Sequence, residues 1–158
     1  MKKKPTLFHD IDGVLYGVYD GEFQLRPGVK PWLWWAHEHF EVVWLTTWES
    51  EKIKTLLSVV FAEKYLKDLP VMPVKCAEWK LCESKAAWLQ QMTSQTPELE
   101  WYWIDDDMSA KELAVYRLPQ ARCIKVSAKG AGALEQLRVG LGELLGRKVS
   151  GRLMRVIS

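Results

Sequence analysis

The stretch Thr6–Gly17, TLFHDIDGVLYG, decides how the rest of the chain is read. A short apolar stretch around Leu7 and Phe8 gives way to two carboxylates, Asp10 and Asp12, then to Gly13 and a second apolar run. Apolar residues halted by polar ones and a glycine read as a buried strand, here expected over 5–12. Two acids at the end of such a strand repel each other unless something neutralises them. The remaining sequence has to supply that neutralising chemistry, or the pair is an ordinary turn former.

Reading outward, 14–25 carries aromatics and aliphatics on both sides of Asp20-Gly21, a dipeptide that favours a tight hairpin. After the Pro27-Gly28 breaker, Val29, Leu33, Ala36 and Phe40 recur at helical spacing, and Pro31 suits a first helical turn. A second strand is expected over 41–47, ending in Thr46 and Thr47. A helix follows over 49–66, with Ile53, Leu56, Leu57, Val60 and Phe61 on one face. An extended piece is expected at 70–75 and a helix over 83–92. A strand at 101–105 ends in Asp105, Asp106 and Asp107. A helix over 109–118, a strand over 121–127 and a last helix over 132–146 complete the pattern. Strands alternating with helices predict an α/β domain: a mostly parallel sheet with helices on both faces. The expected organisation is one domain over 1–146, with a flap hairpin at about 14–25, and a basic tail at 147–158 expected to be frayed and solvated.

The chain has 158 residues, 48% hydrophobic and 27% charged, with a net charge of +2; this is enough for one real core and gives no electrostatic signature of a nucleic-acid or membrane protein. No apolar run has the length of a membrane span. MKKKP is followed by acids where a signal peptide needs an apolar stretch, so no signal peptide is expected. Cys76, Cys82 and Cys123 are odd in number and too far apart for a CxxC metal pair; reduced thiols in a cytoplasmic protein are the expectation.

In open parallel sheets, ligands bind outside the C-terminal strand ends. Parallel strands here bring Asp10 and Asp12, Thr46 and Thr47, and Asp105–Asp107 to one edge, within reach of Lys85 at the start of a helix. Clustered carboxylates with hard oxygens suit magnesium. One carboxylate can attack phosphorus, a second can serve as acid and then base, and a hydroxyl and an ammonium can hold phosphoryl oxygens. Each residue taken alone has a plainer reading: a turn, a cap, or a solvated lysine. Their repeated placement at the ends of successive β-α units is what carries the chemical reading.

The same residues resemble the motifs of the haloacid dehalogenase (HAD) superfamily of phosphohydrolases. The matching features are LFHDIDGV for the first motif, VVWLT for the second, Lys85 for the third and WYWIDDD for the fourth. The resemblance implies a three-layer, Rossmann-like fold and a magnesium-dependent phosphatase. In it, Asp10 is the nucleophile and a metal ligand. Asp12 is the general acid/base and lends its main-chain carbonyl to the metal. Thr46 and Lys85 hold the phosphoryl group, and Asp105 and Asp106 complete the metal site. Asp107 is left to cap the next helix, and Lys75 and Lys80 are alternatives to Lys85. The short segments between motifs leave no room for a large cap domain, so a small capless member is implied. The RPG of LRPGVKPWL resembles the helix entry of capless phosphatases that act on proteins or polynucleotide ends.

An open site admits a small molecule or a macromolecular end, including a nucleic-acid terminus. Thr47 and Trp48 are candidate substrate contacts, Trp48 by stacking on a base or ring or else by packing in the core. Trp34 falls off the apolar face of its helix, His37 and His39 are expected at the surface, and His9 is expected to point away from the nucleophile. The expected partner is a phosphorylated substrate, with the protein a monomer or weak dimer. A phosphoprotein or polynucleotide-end phosphatase, and a catalytically silent binding module of the same fold, stand as alternatives.

Overall fold

The computed structural model describes residues 3–66, 72–146 and 155–157, without the side chains of 62–66 and 155–157. Strand β1 spans Thr6–His9, and the hairpin strands β2 and β3 span Tyr16–Tyr19 and Glu22–Leu25. Helix α1 spans Val29–His39, β4 Glu41–Trp44, α2 Ser50–Leu66 and β5 Lys75–Cys76. Then come α3 at Lys85–Gln95, β6 at Trp101–Asp105, α4 at Ala110–Val115, β7 at Cys123–Val126, α5 at Ala133–Leu145 and β8 at Arg155–Ile157. The main sheet has the order β5-β4-β1-β6-β7-β8, and every neighbouring pair in it is parallel.

The burial pattern explains the layering. Along β1 and β6 successive side chains point to opposite faces, as strand geometry requires. Leu7, Tyr102 and Ile104 join a core with residues of α1, α2 and α5, while Phe8, Trp101 and Trp103 join a second core with α3 and α4. The domain is therefore an α/β sandwich with both sheet faces covered, as the alternation of elements predicts.

Local chemistry fixes the connections. Asp20 and Gly21 both take positive φ, 53° and 76°, the turn that matches strand twist in a two-residue hairpin. Gly28 enters α1 at φ 86°, and Val29, Trp32, Leu33 and Ala36 bury one face. Trp34 packs half-buried against the same core.

Two expectations are corrected. Arg155–Ile157 is not a frayed end: it pairs with β7 as a parallel edge strand, because Val156 and Ile157 continue the β-forming pattern after a basic stretch. The rest of the tail, 147–154 and 158, lies outside the described residues, as do positions 70 and 71 of the extended piece expected at 70–75. Asp107 does not cap α4; the Ser109 hydroxyl does, accepting from Glu112 N–H at 3.1 Å. Among the described residues no helix is long and apolar enough to cross a membrane.

Candidate functional site

The chain runs from β1 to β4 and β5 on one side, then returns to β6 and β7 on the other. The direction reverses between β1 and β6, and such a reversal opens a crevice at the carboxyl ends of the strands. Register places His9 beside Ile104, so the residues after them, Asp10 and Asp105, leave neighbouring strands side by side. Asp10 N–H still bonds Ile104 C=O at 3.2 Å, which holds the nucleophile candidate to the strand end.

Carboxylate oxygens of Asp10, Asp105 and Asp106 all lie within 4.8 Å of one another. Asp10 and Asp105 are buried, and Asp106 is half-buried. Lys85 reaches between them, its Nζ 3.2 Å from Asp10 Oδ1 and 2.8 Å from Asp105 Oδ2. It stands in the first turn of α3, capped by Ser84, where a helix dipole disfavours a cation. The two carboxylates more than offset that penalty. Burial works against the ammonium, but the charges of Asp105 and Asp10 hold its pKa above the ordinary lysine value. Burial, reinforced by the charge of Asp105, pushes Asp10 up to about 8 despite Lys85. The same causes raise Asp106 to about 6. The group is over-supplied with negative charge, and three hard oxygen donors fit a divalent cation.

Gly13 makes the cluster possible. Its φ of 76° lies in the left-handed region, and a Cβ there would collide with the Asp106 carboxylate. The space beside the turn is occupied by the acid.

Asp12 is exposed and outside the three-carboxylate group. Its Oδ1 accepts from the Trp48 indole N–H at 3.1 Å. Trp48 is half-buried; Tyr16 packs edge-on to it and Lys52 Nζ lies 4.0 Å over its ring. The candidate for stacking on substrate or packing in the core thus holds the acid/base candidate. Thr46 is buried, its Oγ1 accepting from Trp48 N–H at 3.2 Å, while Thr47 is exposed at the rim. Asp107 gives its N–H to Asp105 Oδ1 at 2.9 Å and so braces a carboxylate. Lys75 pairs with Glu41 and lines a cavity of about 540 Å³ with Lys4 and His37, away from the carboxylates. Among the described residues, Lys85 is the lysine ion-paired to the cluster.

Sequence reasoning passed over Trp79, whose indole N–H bonds Thr46 C=O at 2.9 Å while Lys85 Nζ sits 5.7 Å from its ring. A tryptophan in a loop, 33 residues from its partner, leaves no periodic signal. His37 is half-buried rather than at the surface, its Nδ1 engaged with Leu33 C=O at 2.8 Å. His39 is exposed as expected. His9 does point away from the crevice, into the core. The three cysteines are free thiols.

No known family's sequence model matches the chain, and no curated protein matches it in sequence. The reading of the site therefore rests on its own geometry.

Proposed function

We propose that the protein is a phosphomonoester hydrolase working through a phospho-Asp10 intermediate, with magnesium in the cluster of Asp10, Asp105 and Asp106. The observation that carries the reading is Lys85 bridging Asp10 and Asp105 beside a third carboxylate at the strand ends. Asp10 Oδ attacks phosphorus and the bond to the leaving oxygen breaks. Asp12, as the acid, protonates that oxygen; as the resulting base it takes a proton from water. The water oxygen attacks phosphorus, the bond to Asp10 breaks, and inorganic phosphate leaves. Lys85 and the Thr46 hydroxyl hold phosphoryl oxygens as charge shifts onto them. The cation supplies neutralising charge that lets a phosphate dianion approach three carboxylates.

The decisive experiment is hydrolysis of an aryl phosphate with and without magnesium, for wild type and Asp10→Asn. Magnesium-dependent turnover lost in the folded variant supports the reading. Turnover that survives Asp10→Asn defeats it.

A macromolecular substrate is favoured by the openness of the site: Asp12 and Thr47 are exposed, and Phe23 on the hairpin is 66% exposed against Tyr16. A terminal phosphate on a polynucleotide is the narrower form of this reading, since bases stack on such rings. Equal turnover of free nucleotides and terminally phosphorylated oligonucleotides would count against it.

A further inference from the structure

The turn that carries Asp10 and Asp12 is gripped by groups with no evident chemical step of their own. Trp32 donates its indole N–H to His9 Nε2 at 2.9 Å. That donation makes Nε2 the acceptor, so the proton of the neutral ring sits on Nδ1. Nδ1–H then donates to the Asp10 carbonyl at 2.5 Å. The ring is fully buried and lies 4.8 Å from Trp44, so it has little freedom to reorient.

The other end of the turn is held by Arg26. Its Nη2 donates to Gly13 C=O at 2.9 Å and to Ser127 C=O at 2.7 Å, and its Nη1 donates to Gly130 C=O. Ser127 and Gly130 belong to the loop between β7 and α5. The guanidinium lies 5.0 Å from the Tyr19 ring of the hairpin, and Arg26 N–H bonds Leu15 C=O at 2.7 Å. Arg26 is 1% exposed, and among the described residues no carboxylate forms an ion pair with it. A buried charge without a counter-ion is a poor stabiliser compared with an apolar side chain. What the planar fork supplies is geometry, because one rigid group fixes three carbonyls from two loops.

Arg26 and Trp32 flank the entry of α1, six residues apart in sequence. We propose that Arg26 and the Trp32–His9 pair are positioning residues: they clamp the Asp10 and Gly13 carbonyls from the start of α1 and so aim the Asp10 and Asp12 carboxylates. The proposal rests on the reading of those two acids as nucleophile and acid/base. Displacement of a reacting group by about 1 Å lowers turnover about 10²-fold.

The test compares Arg26→Met, His9→Leu and His9→Asn with wild type, on an aryl phosphate with magnesium. The asparagine amide nitrogen can stand where Nδ1 stands. Arg26→Met and His9→Leu are expected to lower kcat about 10²-fold with KM changed less than about threefold, and His9→Asn to recover most of kcat. Hydrogen exchange, read by mass spectrometry over 10–17, provides an assay independent of turnover. It is expected to rise about 10-fold in Arg26→Met while α2 stays unchanged. Wild-type kcat and unchanged exchange in Arg26→Met overturn the clamp, as does His9→Leu matching His9→Asn in kcat. If wild type turns over no phosphoester, the proposed activity fails and exchange alone decides the clamp. If Arg26→Met unfolds, exchange over 10–17 in His9→Leu against His9→Asn decides it.

Discussion

Acidification should weaken this protein through His9, by an amount the structure allows to be worked out. Burial drives the pKa of His9 from 6.5 down to about 3, against the smaller opposing effect of its bond to the Asp10 carbonyl. The folded state therefore refuses a proton that the unfolded chain accepts. The contribution of His9 to stability is intact above pH 6.5, falls as pH drops below that value, and stops falling near pH 3. At pH 5 the unfolded chain has gained about 1.5 pH units of protonation advantage, or about 2 kcal/mol at about 1.4 kcal/mol per unit. For a chain of this size that corresponds to a Tm lowered by about 4–8 °C relative to a protein that carries a non-titrating residue at position 9. The assay is urea unfolding at pH 7, 6 and 5, comparing wild type with His9→Asn, which cannot titrate. Asp10 and Asp106, whose raised pKa values act in the opposite sense, are common to both proteins and cancel in the difference. His37, lowered by burial, cancels likewise. A stability difference that stays constant from pH 7 to pH 5 would refute the reasoning.

Removing the bridging cation should be costly in two ways. Lys85→Met is expected to lower turnover about 10²–10³-fold, and to destabilise the protein at pH 8 in a way that adding Asp10→Asn reverses, as urea unfolding of the single and double variants would reveal. Gly13→Ala should add about 1–2 kcal/mol of backbone strain and push Asp106 aside, weakening magnesium binding at least about 10-fold by calorimetry; wild-type affinity in that variant would dissociate Asp106 from the metal site. Magnesium at about 100 times its Kd should stabilise the folded protein by about 2.7 kcal/mol, seen as a raised Tm that EDTA abolishes and Asp106→Asn lacks. No shift in the wild type would remove the metal from the mechanism.

Much of the frame was legible because its signals are local. Leu7 and Phe8, Val42 and Trp44, and Tyr102 to Ile104 announce buried strands, and the acids and threonines after them sit where a parallel sheet gathers its strand ends. Asp20-Gly21 names its own turn. The hidden parts are those in which distant residues meet. Nothing near Trp79 says that its indole reaches Thr46, and nothing near Arg26 says that its fork spans two loops, one of them about 100 residues away. Trp48 was singled out for its ring, whereas its N–H does the holding, on Asp12. The edge strand Arg155–Ile157 was obscured because three residues after a basic stretch carry too little pattern to distinguish a strand from a loose end.

The cluster also has a simple arithmetic of charge. Three carboxylates and one ammonium, fully ionised, sum to −2, which one divalent cation cancels. Under the proposed function, a phosphate dianion would then meet a site that neither repels it nor holds it by net attraction. Its binding would depend on the directed donors, Lys85 and Thr46. Inorganic phosphate released at the end would carry the same charge and meet the same neutral site, so the arrangement that admits such a substrate would also let the product go.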